Sequence, residues 1–342
     1  MAVPKNAFSL WGQYLAARTA EMVLTTFEAR DNLRAAGAIG QAIYYISKRH
    51  RERAMIHLRM AFPDKNEEQL KELAIDCFEH FVQLVVEVCH TPRLIGYDTW
   101  HERIALGPLA PAIRMLNEGK PAILITGHLG NWEVLGSLLA ILGYEVDAVA
   151  RPLDNPLVND WLLGIRQKRG LRIITKWQAS DRMMEVLRNG GALGIIADQN
   201  AGEKGMFVPF FGKLASTYKS VGLLAMRQKV PVVCGYAHRV GNDCCYELGV
   251  EDIIEPDQWA NQPDPLFYIT ARYMRAIENM VRRVPKQYLW MHRRWKTRPA
   301  HEKAGKPMPD TLRAKLESLP WMTPELMTSL QQPVPEIPGR RR

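Results

Sequence analysis

The sequence predicts an α/β fold, in which a mostly parallel sheet is flanked by helices, together with a helical N-terminal region. Between residues 121 and 198, short apolar runs alternate with stretches of helical periodicity. Such alternation is typical of parallel strands that are joined by right-handed crossover helices. With 342 residues and an apolar fraction of 47%, the chain has enough apolar side chains for a sizeable core, which excludes global disorder.

Residues 1–105 form the predicted helical N-terminal region, which we expect to lie at a membrane interface. Apolar side chains recur at roughly helical spacing over the first 27 residues, and Trp11 and Tyr14 among them suit a bilayer surface. Packing against the chain's own domain would produce the same spacing. Further along, Asn66 is placed to cap a helix, with Gln69 three positions on. No apolar run here is long enough for a spanning helix and no signal peptide is evident, so the cytoplasm is the default compartment.

Residues 106–298 form the predicted α/β domain. Its first strands are expected at the apolar runs, at residues 121–126, 144–150, 171–175 and 192–197. The helices between them are expected at residues 131–143, 155–170 and 180–190. Beyond them the expected elements are a loop rich in Gly and Phe at 202–213, a helix from about 217 to 228, a strand at 230–238, a hairpin-like element near 243–250 and a helix from about 265 to 284. Residues 299–342 are Pro-rich and basic, and we expect them to form a tail with one short helical pattern at 311–319.

The chain carries 45 Lys and Arg against 36 Asp and Glu, a formal net charge of +9. This excess favours anionic partners, such as an anionic lipid surface, an acidic protein or nucleic acid, and charge alone does not choose among them. The five cysteines include no CxxC pair, which fits neither a secreted disulfide framework nor a structural zinc site. We therefore expect reduced thiols and no metal site.

The segment from Thr126 to Glu133 is the sharpest local feature, because a buried strand ends there and a helix begins. In open α/β sheets, ligands bind at this edge, outside the carboxyl ends of the strands. The glycines at 127 and 130 permit close approach of the backbone, and His128 could accept a proton near neutral pH while the Glu133 carboxylate orients its ring. A histidine that is satisfied within a turn and a carboxylate that stabilises the helix start would give the same spacing. The GxSxG, HExxH and P-loop signatures are absent, which disfavours serine hydrolase, zincin and nucleotide-binding P-loop chemistry.

The GHLGNWE segment resembles the HxxxxE/D motif of the lysophospholipid acyltransferase superfamily, in the form carried by the bacterial lipid A secondary acyltransferases, the lauroyl and myristoyl transferases. Further blocks agree in order: RPLDNP at 151–156 with the following helix IRQKRG, ADQN at 197–200 with FVPFFG, and YLWMHRRWKTRP at 288–299. The similarity covers roughly residues 30–300 and is much more specific than the HxxxxE motif alone. It implies a glycerolipid acyltransferase-like fold.

The resemblance also implies an activity, the transfer of a fatty acyl chain from an acyl carrier protein or acyl-CoA thioester to a hydroxyl of a lipid A precursor or related glycolipid. His128 would remove the hydroxyl proton and Glu133 would hold the imidazole, while helix N-terminal amides or an arginine would stabilise the oxyanion. The resemblance places four further residues in substrate binding, namely Arg166, Asp198, Arg151 and Asn131. Arg169, close behind Arg166, is an alternative match for it. Neither a metal nor a cofactor is implied.

Two other interpretations stay open on the sequence. The same motifs would serve acyl-CoA-dependent acylation of another polar lipid, such as a phosphatidylinositol mannoside. A non-catalytic basic protein that binds membranes or nucleic acid is an alternative from a different class, but no nucleic-acid-binding signature is present and we expect no nucleic-acid partner. Many relatives carry a clear N-terminal spanning helix, whereas this sequence has an amphipathic one. We therefore expect peripheral or interfacial attachment to the anionic surface of the bacterial inner membrane, on its cytoplasmic face.

Overall fold

A seven-stranded sheet organises the computed structural model, which describes residues 7–167, 170–175 and 179–335. The described strands are β1 (Ile104–Leu106), β2 (Ala122–Thr126), β3 (Val146–Ala150), β4 (Arg172–Thr175), β5 (Ala192–Ile196), β6 (Met206–Phe210), β7 (Lys213–Thr217), β8 (Val232–Arg239) and β9 (Tyr246–Ile254). In the sheet their order is β1-β9-β8-β2-β5-β3-β4, and every neighbouring pair is parallel except β8 and β9. The strands β6 and β7 form a separate antiparallel pair. The predicted α/β fold is therefore confirmed.

In the described part of the chain, five helices precede the main parallel strands and confirm the helical N-terminal region. They are α1 (Ala7–Leu24), α2 (Ala29–Ile46), α3 (Lys48–Ala61), α4 (Glu67–Leu94) and α5 (Trp100–Arg103). Asn66 caps α4 as predicted, because its Oδ1 accepts from the Gln69 N–H at 2.9 Å and the Gln69 Oε1 accepts from the Asn66 N–H at 3.1 Å. The helices α2 and α4 approach so closely that a Cβ on Gly40 would lie 2.4 Å from the Glu79 Cα. Glycine at position 40 is thus required by this packing.

Helices cover both faces of the sheet. The remaining described helices are α6 (Ala110–Asn117), α7 (Trp132–Ile141), α8 (Pro156–Gln167), α9 (Ala179–Arg188), α10 (Ser220–Gln228), α11 (Pro256–Ala260), α12 (Pro265–Arg283), α13 (Ala300–Lys303), α14 (Asp310–Glu317) and α15 (Pro324–Gln331). Ile123 and Ile125 of β2 belong to the main core with α12. Their neighbour Ala122 packs on the opposite face with Ala112 and Met115 of α6. Since alternate residues of a strand point to opposite faces, β2 is buried on both sides.

Two segments differ from their sequence interpretation. Part of the predicted loop at 202–213 belongs to the β6–β7 hairpin, in which Val208 and Phe210 are fully buried, because tertiary packing supplies a core that the local sequence does not reveal. The predicted tail at 299–342 carries the helices α13, α14 and α15 in its described part, and its Leu316 and Leu330 are only 0% and 2% exposed. The boundaries of the three predicted regions stay a prediction.

The first helix, α1, exposes much of its apolar surface. Phe8 and Met22 are 87% and 66% exposed. The helix is attached to α8, because Asn155 Nδ2 donates to the Leu10 carbonyl at 3.0 Å and Trp161 Nε1 donates to a carboxylate of α1 at 3.2 Å. Among the described residues, no helix combines the length and the apolarity that are needed to cross a membrane.

Candidate active site

The turn between β2 and α7 lies at the carboxyl edge of the sheet, where the sequence predicted a site. A Cβ on Gly127 would lie 3.2 Å from the Asp198 carboxylate, and Gly130 has a φ of +56° with its would-be Cβ only 2.0 Å from the Ala237 carbonyl oxygen. The Gly130 N–H donates to the Gln287 carbonyl at 2.9 Å. Gly130 is therefore required by close backbone approach, as predicted, whereas Gly127 is enclosed by side chains.

His128 is held by Asp198 at two points. The ring Nδ1 lies 2.6 Å from Asp198 Oδ1, and the main-chain N–H of His128 donates to Asp198 Oδ2 at 2.8 Å. Asp198 is fully buried, and burial alone would raise its pKa, but the His128 imidazole and these hydrogen bonds outweigh burial and hold the pKa of Asp198 well below its usual range. An ionised Asp198 accepts the proton of Nδ1, so the opposite nitrogen, Nε2, keeps its lone pair. This tautomer is the one that a general base needs.

Among the described residues, Gln199 approaches Nε2, the free nitrogen of the His128 ring. Its amide nitrogen lies 3.3 Å from His128 Nε2, at the long end of the hydrogen-bonding range. Two aromatic rings pack edge-on against the His128 ring, with centroids 4.7 Å away for His292 and 5.1 Å away for Trp132. Burial lowers the pKa of His292 to about 4, which leaves its imidazole neutral at pH 7.

Glu133 does not hold the imidazole, contrary to the prediction. Its carboxylate forms a two-pronged pair with Arg166 of α8, in which Nε donates to Oε2 at 2.8 Å and Nη2 donates to Oε1 at 2.5 Å. The two side chains are 16% and 18% exposed. The first turn of α7 directs Glu133 towards α8, whereas Asp198 reaches the ring from β5. Sequence spacing could not tell which carboxylate contacts His128. Asp198 follows a buried strand and Glu133 begins the helix after another, so both lie at the same edge of the sheet.

The other predicted substrate-binding residues fall in different environments. Asn131 is fully buried, where its Oδ1 caps α7 by accepting from the Val134 N–H at 3.0 Å and its Nδ2 donates to Glu87 at 2.7 Å. Asp198 is equally buried. Both therefore support the turn and have no exposed surface to offer to substrate. Arg151 follows β3 directly and is exposed, so its role in binding stays a prediction, and Arg169 lies outside the described residues.

A buried polar network behind the turn escaped sequence analysis. Glu87 of α4 is fully buried and pairs with Arg239 Nη1 at 2.9 Å. Burial raises the pKa of Glu87 despite this partner. The adjacent His80 places its Nε2 3.2 Å from the Gly130 carbonyl oxygen. The sequence signal for this network is Glu87, a carboxylate in the middle of an apolar helical stretch. It indicates a support for the site only when α4 is known to pack against the turn between β2 and α7.

The basic block at 292–298 does not form one charged surface. Arg294 is only 1% exposed and donates to the Ser216 carbonyl at 2.5 Å and to Thr217 Oγ1 at 2.6 Å. Arg298 pairs with Glu302 at 2.7 Å. Arg294 also donates weakly to the Gln199 carbonyl at 3.4 Å. It therefore connects β7 with the segment that follows β5.

A cavity of about 540 Å³ lies under the sheet, between the strands and the helices α6 and α7. Its polar end contains Thr126, Glu133 and Arg166, and Trp132 joins this end to the His128 ring. Apart from Tyr144, the rest of the cavity is lined by apolar residues, with Gly194 of β5 among the sheet residues. Its volume lies within the range of ~300–1,000 Å³ that is usual for small-ligand sites. Phe210 and Phe211 do not line this cavity and are buried in the main core.

No group of three or more His, Cys, Asp or Glu residues in the described ranges is arranged to hold a metal ion.

Comparisons with known proteins identify the family. Residues 7–297 match the family model described as bacterial lipid A biosynthesis acyltransferase. The chain is 25% identical over 280 residues to a lipid A biosynthesis acyltransferase of Haemophilus influenzae, covering 81% of this chain and 85% of that protein. It is 26% identical over 268 residues to the lipid A biosynthesis lauroyltransferase of Escherichia coli, covering 76% and 84% of the two chains. For the Escherichia coli myristoyltransferase the values are 24% over 300 residues, with 85% and 89% covered. Because the family model matches most of its length, the chain belongs to the bacterial lipid A biosynthesis acyltransferase family.

Proposed function

We propose that this protein transfers a fatty acyl chain from a thioester donor, an acyl carrier protein or CoA, to a hydroxyl of a lipid A precursor, with His128 as the general base. The family supports acyl transfer to lipid A. The single observation that carries the assignment of the base is the contact between His128 and the buried Asp198, because it leaves Nε2 as the proton acceptor.

The chemistry follows from this tautomer. An alcohol is too weak an acid to attack a thioester unaided at neutral pH, so Nε2 takes the hydroxyl proton as the oxygen bonds to the carbonyl carbon. The carbonyl electron pair moves onto its oxygen and forms a tetrahedral oxyanion. When that pair returns, the carbon–sulfur bond breaks, and the departing thiolate takes the proton back from Nε2. The imidazolium that exists between these steps is stabilised by the Asp198 carboxylate, which therefore acts as a positioning residue.

The cavity under the sheet is the proposed site of the acyl chain. Its apolar lining suits a hydrocarbon, which contributes about 0.8 kcal/mol for each methylene that is removed from water. Its polar end, at Thr126, Glu133 and Arg166, lies beside the turn that carries His128. A chain that is inserted from this end would keep its thioester next to the base.

Glu133 and Arg166 are proposed to bind the polar part of the substrates. Each fixes the other, since the pair is two-pronged and largely shielded from solvent. A guanidinium that is held in this way offers its remaining N–H groups in a defined direction to a phosphate or hydroxyl oxygen. Arg151, at the end of β3, is proposed to assist from the exposed rim of the same edge.

Peripheral attachment to the cytoplasmic face of the bacterial inner membrane is part of this proposal. On α1, Phe8, Trp11 and Leu15 are 87%, 53% and 56% exposed, and these residues recur at roughly helical spacing. Their burial in a bilayer interface, together with the net charge of +9, would favour an anionic membrane surface. Binding to vesicles that contain anionic lipid, measured at rising salt, tests this attachment. Binding that is independent of both anionic lipid and salt would contradict it.

Mass spectrometry of lipids from cells with and without the protein tests the function, because a mass shift identifies both the acyl group and the acceptor. The purified protein is then assayed with acyl carrier protein and CoA thioesters. His128→Ala should abolish transfer, whereas His101→Ala, which alters an exposed histidine of α5, should leave it unchanged.

Three results would contradict the proposal. Transfer near the parental rate by a folded His128→Ala variant would show that His128 is not the base. A mass gain on a different polar lipid would show that the acceptor is wrong. Steeply salt-dependent binding of oligonucleotides without transfer from any thioester would favour a non-catalytic protein.

A further inference from the structure

Thr126 carries a buried hydroxyl for which the fold provides no partner. It is the last residue of β2, 7% exposed, and its Oγ1 has no hydrogen-bond partner among the described residues. A buried hydroxyl without a hydrogen bond destabilises a folded protein, so its presence calls for an explanation. Valine has nearly the same shape, suits a buried strand better and would avoid this cost.

Thr126 also lines the cavity, at its polar end. Among the described residues, two that carry hydroxyl groups line the cavity, Thr126 and Tyr144. Tyr144 is satisfied, since its hydroxyl donates to Asn117 Oδ1 at 2.7 Å. The charged residues of the cavity, Glu133 and Arg166, are bonded to each other. Among the described residues, Thr126 therefore carries the cavity-lining hydroxyl that has no partner, and a turn about its Cα–Cβ bond would direct it to a ligand.

Its place in the chain puts it next to the base. Thr126 ends β2 two residues before His128. Trp132 lines the same end of the cavity, and its ring packs edge-on against the His128 ring. An acyl chain in the apolar part of the cavity would bring its carbonyl group to this end. A carbonyl oxygen only accepts hydrogen bonds, and the threonine hydroxyl is able to donate one.

On the basis of the proposed function, we infer that Thr126 is a catalytic residue whose hydroxyl donates a hydrogen bond to the carbonyl oxygen of the acyl thioester. As the acceptor oxygen bonds to the carbonyl carbon and its proton passes to His128 Nε2, the carbonyl electron pair moves onto this oxygen. The hydrogen bond then strengthens, because it is made to a developing negative charge. The orphaned hydroxyl of the free protein is thus satisfied in the transition state.

Thr126→Val, which removes the hydroxyl and keeps the shape, tests this inference against Thr126→Ser, which keeps the hydroxyl. Loss of one oxyanion donor lowers kcat by about 10²-fold or more, so we expect Thr126→Val to lose about that factor with little change in the KM for the donor. Thr126→Ser should stay within about tenfold of the parent. Thr175→Val, at the exposed end of β4, is the matched control and should leave kcat unchanged.

Thermal unfolding separates a catalytic from a structural role. Because Thr126→Val removes an unsatisfied buried group, we expect its Tm to rise, by about 2 °C if the gain is near 1 kcal/mol. A catalytic loss that accompanies higher stability supports the inference. A Tm that falls for Thr126→Val but not for Thr126→Ser would show a structural hydroxyl and overturn the inference. A Thr126→Val enzyme with kcat within about threefold of the parent, or with its whole defect in the KM for the acceptor, would also overturn it. If the parental protein itself transfers no acyl group from any thioester, the proposed function fails first.

Discussion

Replacing Gly194 by valine should shorten the acyl chain that the protein accepts. Gly194 lies in the middle of β5, pairs with Leu124 of β2 and Ala148 of β3, and lines the cavity. A Cβ built on Gly194 would meet the Ala148 Cβ at 3.7 Å, which is an ordinary van der Waals contact. The strand therefore tolerates a side chain at this position, and the added atoms occupy the cavity.

The depth of the obstruction follows from the strand register. Thr126 pairs with Ile196, and Leu124 pairs with Gly194. With a rise of about 3.3 Å for each residue, Gly194 lies roughly 7 Å below the polar end of the cavity. Beyond the Cβ, which contacts Ala148, the two methyl groups of the valine side chain fill the space of roughly two methylenes, and each methylene that cannot be buried costs about 0.8 kcal/mol. The loss for a chain that reaches past Gly194 is therefore about 1.6 kcal/mol, or about 15-fold in kcat/KM.

The assay is a series of acyl thioesters of increasing chain length, with kcat/KM measured for each. Gly194→Val should retain the parental values for short chains and lose about 15-fold for chains that fill the cavity. Gly164→Ala is the control, because a Cβ on Gly164 of α8 has no heavy atom within 4 Å. An equal loss at every chain length, or an unchanged profile in the folded variant, would refute the placement of the acyl chain along this face of the sheet.

Three further variants test the supports of the site. Asp198→Asn should lower kcat by about 10⁴-fold, because an amide no longer selects the required tautomer, and a loss under tenfold would contradict this. The contacts with His128 that hold the pKa of Asp198 below its usual range stabilise the fold above about pH 4, and this stabilisation is lost as the pH falls. The difference in unfolding free energy between the parent and Asp198→Asn should therefore shrink in acid. Arg166→Lys should lower kcat/KM by about tenfold with little change in Tm, since lysine cannot form the two-pronged pair with Glu133, and unchanged kinetics would argue against a binding role. Arg239→Met should lower the free energy of unfolding in urea by about 3–5 kcal/mol, because it leaves Glu87 buried without its cation, and a loss under 1 kcal/mol would show that the pair is dispensable.

The contrast between Glu133 and Asp198 shows how far sequence reasoning reached in the site. The motif located His128 at the strand-to-helix turn, and the family resemblance placed Asp198 among the substrate-binding residues. Both residues were selected from the sequence, but their partners were exchanged: Asp198 holds the ring and Glu133 holds Arg166. Spacing along the chain gives the position of each side chain on its element, and it does not give the direction in which neighbouring elements present their side chains.

The sequence by itself determined the alternation of strands and helices, the cap at Asn66 and the glycine-containing turn that carries His128, because these depend on periodicity and on local backbone geometry. Only the tertiary structure decided which carboxylate meets the imidazole, that Glu87 supports the turn from α4, and that an apolar cavity ends at the hydroxyl of Thr126. These features join residues that are far apart in the chain or lie on different elements. They exist only after the helices have packed on the sheet.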